Sequence, residues 1–298
     1  MKILLFGKDG QVGWELQRSL ALLGPVVALG RAGRDGLVGD LQDIEGACAT
    51  VRSLRPDAIV NAAAYTAVDK AESEPDVARV INTAAPTALA REAAALGSWL
   101  VHYSTDYVFD GSGTTPWTED DATGPLGVYG ATKLAGEQGI QAAGGKHLVF
   151  RTSWVYAARG NNFAKTMLRL AKERDELSVV VDQVGAPTGA EALADATAHA
   201  LRVARQDAGV SGTYHLAASG ETNWLEYARF VIDRARAQGA AVRVPADSVR
   251  GIATRDYPTP ARRPLNSRLA THKFTSTFDL CLPPWREGVA RVLDEGNT

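Results

Sequence analysis

The sequence is short of cysteine and has no excess of either charge. Its 298 residues include only two cysteines, Cys48 and Cys281, too few for a disulfide framework or a cysteine-rich zinc site. We therefore expect free thiols in a reducing compartment. The 32 lysines and arginines nearly balance the 34 aspartates and glutamates. The net charge of −2 gives no electrostatic reason to expect nucleic acid or an anionic membrane as a partner.

Long apolar runs and a leader-like segment are also missing. A membrane helix needs about 20 consecutive apolar residues, and no stretch of this chain supplies them. The opening residues, MKILLF, form a strand-like pattern at once, without the layout of a signal peptide. Both absences predict a cytoplasmic protein without a membrane partner.

Apolar runs that alternate with longer helical patterns fill the first half of the chain. The runs show little polar alternation, which is typical of parallel strands covered on both faces. They lie at Ile3–Phe6, Val26–Leu29, Ala58–Ala63, Trp99–Ser104 and Leu148–Val155. Helical patterns lie at Gln11–Leu23, Asp43–Leu54, Asp76–Leu96 (where Pro86 predicts a kink) and Leu126–Ala142. The alternation predicts an α/β fold with a doubly wound parallel sheet of the Rossmann type.

The pattern becomes less regular after about residue 155. Helical patterns at Asn161–Glu173, Ala190–Ala204 and Trp224–Gln238 are followed by an irregular, proline-rich stretch. We expect a dinucleotide-binding domain over residues 1–155 and a smaller lobe, mainly for substrate, over residues 156–298. No linker-like stretch separates them, so we expect the two parts to be interleaved.

A glycine-rich turn follows the first predicted strand. Gly7, Gly10 and Gly13 have the spacing G-x-x-G-x-x-G, and the helical pattern begins within the turn at Gln11 and Val12. Glycines let a diphosphate approach the backbone, and the helix N-terminus supplies N–H donors and positive potential. These five residues are therefore the candidate pyrophosphate site of a dinucleotide.

The end of the second predicted strand should distinguish NADH from NADPH. An acid there binds the ribose 2′-hydroxyl, whereas an arginine accommodates a 2′-phosphate. This chain has Gly30 followed by Arg31, with Arg34 nearby and no acid at that point. Arg31 therefore favours NADPH, with NADH as the alternative. Asp40 and Leu41, at the end of a possible third strand, are candidates for contacts to the adenine.

Two further strand ends place small or polar groups at the same edge of the sheet, where open α/β sheets bind ligands. One offers a flat surface for the middle of the cofactor, formed by Ala63, Ala64, Tyr65 and Thr66. The other carries Thr105 and Asp106. The Thr105 hydroxyl is a candidate hydrogen-bond partner for a substrate oxygen.

Tyr129 and Lys133 lie four residues apart in a helical pattern, so their side chains share one face of the helix. A neighbouring ammonium is expected to lower the pKa of the phenol. A tyrosine tuned in this way can donate a proton to a carbonyl oxygen. A loop with glycines and a proline separates Thr105 from Tyr129. The three side chains are therefore predicted to converge on one catalytic pocket.

Together these segments resemble the extended short-chain dehydrogenase/reductase family. The resemblance rests on the glycine turn, the alanine-rich strand end, the Ser104-Thr105-Asp106 strand end and the Tyr129-x-x-x-Lys133 pair. Within the family the similarity is greatest to reductases of dTDP-activated keto sugars, and it covers nearly the whole chain. Further similar segments are RTSWVY at 151–156, NNF at 161–163, DQVGAPT at 182–188 and RRPLNS at 262–267.

The resemblance implies reduction of the 4-keto group of dTDP-4-dehydro-β-L-rhamnose, the last step of dTDP-L-rhamnose synthesis, with NADPH or NADH. Tyr129 would protonate the C4 oxygen as hydride arrives from the nicotinamide. Thr105 would orient the ketone. Lys133 would lower the pKa of Tyr129 and bind the nicotinamide ribose.

The resemblance also assigns substrate contacts, a metal and an assembly. Asp106 and Trp154 would contact the sugar nucleotide. Arg262 and Arg263 are candidates to hold its diphosphate, since arginine forks suit phosphate oxygens. A homodimer with Mg²⁺ at the subunit contact is implied. Its candidate ligands are Glu15, Glu191 and Glu295. The five histidines show no metal-ligand spacing, and we expect them to be structural.

Two other functions remain open from the sequence. A sugar-nucleotide epimerase or 4,6-dehydratase would use the same scaffold, although Asp106-Tyr107 offers no Asp-Glu pair for the dehydration chemistry. A non-catalytic NADP-binding regulatory subunit would also keep the fold. Such a subunit tends to lose the tyrosine or the lysine, and both are present here.

Overall fold

The structure of the chain, a computed structural model, describes residues 1–295. Its strands are, in chain order, β1 (Ile3–Phe6), β2 (Val26–Leu29), β3 (Ala58–Asn61), β4 (Trp99–Thr105), β5 (His147–Thr152), β6 (Val155–Tyr156), β7 (Leu177–Val180), β8 (Val184–Gly185), β9 (Thr188–Gly189), β10 (Gly212–His215), β11 (Thr222–Asn223) and β12 (Val249–Ile252).

The helices cover the strands and fill the second part of the chain. They are α1 (Gln11–Ala21), α2 (Ile44–Leu54), α3 (Val68–Ala71), α4 (Pro75–Arg79), α5 (Ala85–Leu96), α6 (Val128–Ala142), α7 (Phe163–Glu173), α8 (Ala190–Ala204), α9 (Trp224–Ala237), α10 (His272–Phe278) and α11 (Trp285–Glu295). In residues 1–295 we find no helix with the length and apolar character needed to cross a membrane.

A parallel sheet of six strands, in the order β10-β5-β4-β3-β1-β2, forms the centre of the molecule. The chain moves outward from β1 to β2 and then returns to the other side of β1 as β3. This reversal opens a crevice between the carboxyl ends of β1 and β3, where such sheets bind ligands. The predicted doubly wound parallel sheet is confirmed.

The continuous apolar character of the strands follows from burial on both faces of the sheet. In β1, Ile3 and Leu5 pack in one cluster with apolar residues of α1 and α8. Leu4 and Phe6 pack in the opposite cluster with residues of α2 and α5. A strand between two such layers has no solvent-exposed face, so it carries no polar alternation.

Helix α6 lies unusually close to its neighbours because glycines line its contact face. A Cβ on Gly130 would lie 2.1 Å from the carbonyl oxygen of Tyr107. A Cβ on Gly136 would lie 2.2 Å from the carbonyl oxygen of Asn82. Because both obstacles are backbone atoms, only glycine allows this approach. The start of α6 is thereby fixed beside the carboxyl end of β4.

The predicted helix Asp76–Leu96 is divided in the structure by a π-helical turn, Val80–Ala84, between α4 and α5. Pro86 lies in the first turn of α5, where a missing N–H costs little. The interruption therefore precedes the proline and is a widened turn. Such turns often occur at functional sites.

The predicted third strand ending at Asp40 and Leu41 is wrong. Residues 38–40 have no regular structure and lead into a turn before α2. The Asp40 carboxylate accepts the N–H of Gln42 at 3.0 Å, and Leu41 is buried among apolar residues of the sheet face that α2 covers. Leu41 is apolar because it anchors a loop in the core, and this apolar residue made the segment resemble a strand in the sequence.

The part of the chain after residue 155 contributes to both lobes. Strand β10 joins the edge of the central sheet next to β5, and α8 packs on the face that α1 covers. Helices α7, α9 and α11 form a second apolar core with β7 and β12. We propose that the two lobes are interleaved in this way; the boundary at residue 155 stays a prediction.

Candidate active site

The glycine turn after β1 brings bare backbone to the crevice between β1 and β3. Gly7 has a φ of +86°, and a Cβ on it would lie 2.6 Å from the backbone nitrogen of Ala63. A Cβ on Gly13 would lie 2.0 Å from the carbonyl oxygen of Gly7. Both positions therefore require glycine, because the neighbouring backbone cannot move aside.

The first turn of α1 begins at this crevice with N–H groups that have no partner within the helix. Gly10 is the N-cap and has no side chain to occupy them. The first turn contains Gln11, Val12 and Gly13 and no acidic residue. A helix N-terminus of this kind binds phosphate through its N–H groups and its positive potential. The backbone and charge of the five predicted residues thus fit the pyrophosphate of a dinucleotide.

The segment after β3 is held in place by Asn82 of the π-helical turn. The Asn82 amide accepts the N–H of Tyr65 at 2.8 Å and donates to the carbonyl of Tyr65 at 3.1 Å. It also donates to the hydroxyl of Thr132 in α6 at 3.2 Å. One buried amide therefore fixes this segment relative to α6. The predicted cofactor residues in the segment are Ala63, Ala64, Tyr65 and Thr66.

Thr105 and Tyr129 meet where β4 ends. The Thr105 hydroxyl accepts the N–H of Tyr107 at 3.2 Å and donates to Oδ1 of Asp106 at 3.0 Å. It also interacts with the Tyr129 phenol. The rings of Tyr107 and Tyr129 pack edge to face with their centroids 5.5 Å apart. A carbonyl group placed here would have two hydroxyl groups within reach.

The protonation of Tyr129 differs from the prediction. Burial raises the pKa of Tyr129 to about 12, an effect that the Thr105 hydroxyl opposes and the Asp106 charge reinforces. The predicted lowering by Lys133 is wrong for this structure, because the ammonium points elsewhere. Tyr129 therefore retains its proton at neutral pH, as a proton donor must.

Lys133 is buried beneath the site, against β4. Its Nζ donates to the carbonyl of Tyr103 at 2.6 Å and lies 2.9 Å from Nε2 of His102. Burial lowers the pKa of Lys133 to about 8, and the nearby Glu137 opposes this change. Glu137 in turn accepts hydrogen bonds from Arg151 in a buried ion pair at 2.7 Å.

The position of the His102 proton follows from its neighbours. Oδ1 of Asn61 accepts the N–H of Ala63 at 3.1 Å, so its Nδ2 donates to Nδ1 of His102 at 3.2 Å. A neutral His102 then carries its proton on Nε2, facing Lys133. Burial and Lys133 hold the pKa of His102 well below its usual range. Because this Nε2–H points at Lys133, it can donate to the Lys133 amine only when that amine is neutral, in keeping with the lowered pKa of Lys133.

Asp106 presents a buried carboxyl oxygen to the site. Burial raises its pKa to about 6, against the hydrogen bonds from Ser267 and Thr105. Within the described residues its Oδ2 has no hydrogen-bond partner, and the same is true of the buried Thr152 hydroxyl at the end of β5. Buried polar atoms without partners are rare in folded proteins. A polar ligand such as a sugar would satisfy them.

Trp154 lies just after β5 in a conformation that bulky residues rarely adopt. Its φ is +50°, in the left-handed region. Its ring stacks on Trp224 with centroids 3.7 Å apart, and a Cβ on Gly185 would lie 3.0 Å from it. Trp224 is itself held by a hydrogen bond from Nε1 to Gln183 at 2.9 Å. Packing of the ring against Trp224 and Gly185 therefore stabilises a strained backbone conformation at Trp154.

Arg263 lies close to Tyr107, the ring that packs against Tyr129. Its guanidinium pairs with Asp69 of α3 at 2.7 Å, and its charge acts on the hydroxyl of Tyr107. Its buried Nη1 has no hydrogen-bond partner in the described residues. Arg262 is exposed. Arg263 can therefore contact an anionic group at the site without breaking its pair with Asp69.

The other predicted residues occupy the outer parts of the site. Arg31 is exposed just beyond β2, and Asp40 and Leu41 lie in the loop that follows. Asp40 is occupied by the turn before α2, and Leu41 is buried. Contacts of Asp40 and Leu41 to an adenine stay a prediction.

The three predicted metal ligands lie together without forming a metal centre. Glu15, Glu191 and Glu295 line one cavity of about 200 Å³. Arg18 lies 3.9 Å from Glu15, and Arg291 pairs with Glu191 and Glu295. Within residues 1–295 no group of three His, Cys, Asp or Glu residues is placed to hold a metal ion. The chain alone therefore does not supply the donor set.

Several residues that shape the site were not predicted from the sequence. They are Asn61, Asn82, His102, Gln183, Trp224 and Ser267. None contributes a reactive group, and each acts by holding another residue. The side-chain hydrogen bonds of Asn82 and Gln183 reach residues 17 to 71 positions away, so local spacing could not have identified them.

Comparisons with known proteins agree on one family. The family model described as RmlD substrate binding domain matches residues 1–298. The chain is 59% identical to the dTDP-4-dehydrorhamnose reductase of Escherichia coli (strain K12), over 99% of this chain and 98% of that protein. It is 48% identical to the reductase of the same name from Burkholderia thailandensis, over 97% of each protein.

A solved structure shows the same architecture. The crystal structure of dTDP-4-dehydrorhamnose reductase from Bacillus anthracis in complex with NADP matches this chain with a TM-score of 0.88. The two sequences are 34% identical, and the match covers 99% of each chain.

The buried charge of Asp106 predicts a pH-dependent effect on stability. Because the folded pKa is about 6 and the ordinary value is 3.8, the ionised carboxylate destabilises the fold fully above pH 6. This cost fades as the pH falls toward 4. Asp106→Asn should therefore raise the free energy of unfolding by about 3 kcal/mol at pH 8 and by almost nothing at pH 4.

Urea unfolding of both proteins at each pH measures this difference. Asp120→Asn is the matched control, since Asp120 is exposed and its replacement should change stability by less than about 0.5 kcal/mol. An Asp106→Asn protein that is less stable than the parent at pH 8 would contradict the assignment of an unsatisfied buried charge.

Proposed function

Because the chain belongs to the family of dTDP-4-dehydrorhamnose reductases, we propose that it reduces the 4-keto group of dTDP-4-dehydro-β-L-rhamnose to give dTDP-β-L-rhamnose. The observation that carries this proposal is the meeting of Thr105 and Tyr129 at the end of β4, beside a glycine turn that fits a dinucleotide. The cofactor, NADPH or NADH, supplies hydride to C4 of the sugar.

The chain itself supplies the proton and the orientation. The ketone oxygen accepts a hydrogen bond from Tyr129 and one from Thr105, whose hydroxyl must turn away from Asp106 to donate to it. Both bonds polarise the carbonyl. As negative charge develops on that oxygen, Tyr129 transfers its proton to it. The raised pKa of Tyr129 suits this order of events, because the alkoxide that forms is a much stronger base than the phenolate that remains.

Lys133 acts from below the site. It would contact the nicotinamide ribose, and its charge would stabilise the Tyr129 phenolate after proton transfer. Its pKa of about 8 lets it gain or lose a proton during turnover. In the present arrangement its contacts are His102 and the Tyr103 carbonyl, so the role toward the ribose requires a change of its side-chain torsions.

The substrate is held by residues of both lobes. The free Oδ2 of Asp106 accepts a sugar hydroxyl, and the face of Trp154 packs against the sugar nucleotide. The unpaired Nη1 of Arg263 donates to the diphosphate. A dehydratase would need a further acid–base pair next to Thr105, and the chain has Asp106 followed by Tyr107 there.

Tyr129→Phe tests the proton donor. Loss of the phenol should lower kcat by about 10² to 10⁴ fold, because general acid catalysis is removed. The Kd for NADPH should remain within about twofold, since the ring still packs on Tyr107. The measurement is NADPH oxidation with dTDP-4-dehydro-β-L-rhamnose, with the product identified by NMR.

Tyr257→Phe serves as the matched control, because it removes the same hydroxyl group from an exposed tyrosine. It should retain the parent kcat. Near-normal turnover of Tyr129→Phe would exclude Tyr129 as the donor. A parent protein that binds the cofactor but forms no dTDP-rhamnose would exclude the proposed reaction.

We also propose a homodimer with Mg²⁺ at the subunit contact. Three carboxylates at one cavity, two of them paired with Arg291, suit a site that a second copy completes. Burial and neighbouring carboxylates raise the pKa of Glu191, which a cation would reverse. Exposed Trp14, 46% accessible, lies on the helix that carries Glu15 and suits an interface.

Light scattering of the purified chain tests the assembly. The expected result is a dimer whose dissociation constant rises at least about tenfold when Mg²⁺ is replaced by chelator. Glu191→Gln should reproduce the effect of the chelator, and Glu173→Gln, an exposed acid on α7, should not. A monomer at all concentrations would refute the proposal.

A further inference from the structure

The glycine turn carries an acidic side chain at the place where β2 leaves room for one. Strand β2 ends at Leu29, and the next residue, Gly30, has no side chain. A Cβ built on Gly30 would lie 2.0 Å from Oδ2 of Asp9 and 3.1 Å from its Cγ. The Asp9 carboxylate therefore fills the space in which a side chain of residue 30 would begin.

The backbone holds Asp9 at this position. The N–H groups of Gly7 and Lys8 both donate to the carbonyl of Leu29, at 2.9 and 3.2 Å. The turn is thus attached to the end of β2, and the residue that follows Lys8 must lie over Gly30. Gly30 is buried, and its carbonyl accepts the N–H of Gly33 at 3.0 Å.

Charged groups of both signs lie around Gly30 and Asp9. Nζ of Lys8 lies 3.4 Å from Oδ1 of Asp9. Arg31 is exposed directly after Gly30, and within residues 1–295 it forms no ion pair, whereas Arg34 is paired with Asp35 at 3.1 Å. The end of β2 therefore has one carboxylate and two cationic groups nearby, where a single acid is usual.

The position of these charged groups at the end of β2 determines which part of the cofactor they can contact. In dinucleotide-binding sheets the end of the second strand meets the adenosine ribose. A carboxylate there accepts the 2′-hydroxyl, and an arginine accommodates a 2′-phosphate. The absence of an acid at residue 30 favoured NADPH in the sequence, with NADH as the alternative. In the structure, Asp9 of the turn after β1 places a carboxylate where that acid would lie.

We propose that Asp9 reads the 2′ position of the adenosine ribose in place of an acid at residue 30, accepting the hydroxyl of NADH and opposing the phosphate of NADPH. Lys8 and Arg31 counter this opposition and hold the phosphate. The inference rests on the proposed function, since it assumes a nicotinamide dinucleotide at the glycine turn. It makes the protein a user of both cofactors whose preference is set by residues 9 and 31.

Cofactor binding tests the proposal without turnover. The Kd values of NADH and NADPH are measured by calorimetry for the parent and for Asp9→Asn. A hydrogen bond to a charged acceptor is lost for NADH, and a repulsion is removed for NADPH. The ratio of the two Kd values should therefore shift toward NADPH by at least about tenfold. Arg31→Gln should shift the ratio in the opposite direction by a similar factor.

Two further variants separate recognition from general charge effects. Asp35→Asn makes the same change of charge in the loop after β2, at an exposed residue, and should leave the ratio within about twofold of the parent. Asp9→Ala combined with Gly30→Asp returns the carboxylate to residue 30 in the space that Asp9 vacates. This double variant should recover the NADH affinity that Asp9→Ala loses.

The outcomes distinguish this inference from the function on which it rests. If Asp9→Asn weakens both cofactors equally, or changes neither, the assignment of Asp9 is overturned while the dinucleotide site stands. Failure of the double variant to recover NADH affinity also overturns it. If the parent protein binds neither NADH nor NADPH, the proposed function fails together with the inference.

Discussion

The close approach of α6 to the carboxyl end of β4 is the constraint on which the active site depends. Gly130 and Gly136 allow it, because any side chain there would meet backbone oxygens at 2.1 and 2.2 Å. This contact places Tyr129 beside Thr105 and turns Lys133 into the interior against His102. The contact also places Asn82, and with it the segment after β3, at a fixed distance from the tyrosine. A shift of α6 would separate the proton donor from the cofactor crevice.

Burial then determines the protonation of the site. The same desolvation that raises the pKa of Tyr129 and of Asp106 lowers that of Lys133 and His102, so each group moves toward its neutral form. Near pH 7, Tyr129 and His102 are therefore neutral, whereas Asp106, with a pKa of about 6, and Lys133, with a pKa of about 8, still carry charge. The phenol nearest to the ketone keeps its proton until hydride arrives. Catalysis therefore depends on Tyr129 keeping its proton until the developing alkoxide can accept it.

The sequence allowed much of the fold and the reacting residues to be predicted. Buried parallel strands are continuous apolar runs, so β1 and β2 were located to the residue, and the turn of Gly7, Gly10 and Gly13 needed only local spacing. Short elements such as β6 or α10 carry no periodic signal and were missed. The orientation of Lys133 was missed for a different reason. Helical spacing places it on the face of Tyr129, but only the packing of α6 on β4 shows that His102 and the Tyr103 carbonyl are its partners. The position of Asp9 over Gly30 was not predicted, because Asp9 comes from the turn after β1 and not from the end of β2.

Ultraviolet difference titration of the cofactor-free protein tests most directly the claim that Tyr129 holds its proton. The phenolate absorbance of the parent is compared with that of Tyr129→Phe as the pH is raised from neutral. With the pKa of Tyr129 raised to about 12, the two titrations should coincide up to about pH 10. An additional phenolate in the parent near pH 7 to 8, absent from Tyr129→Phe, would show that the phenol is already activated by Lys133 and would contradict the account.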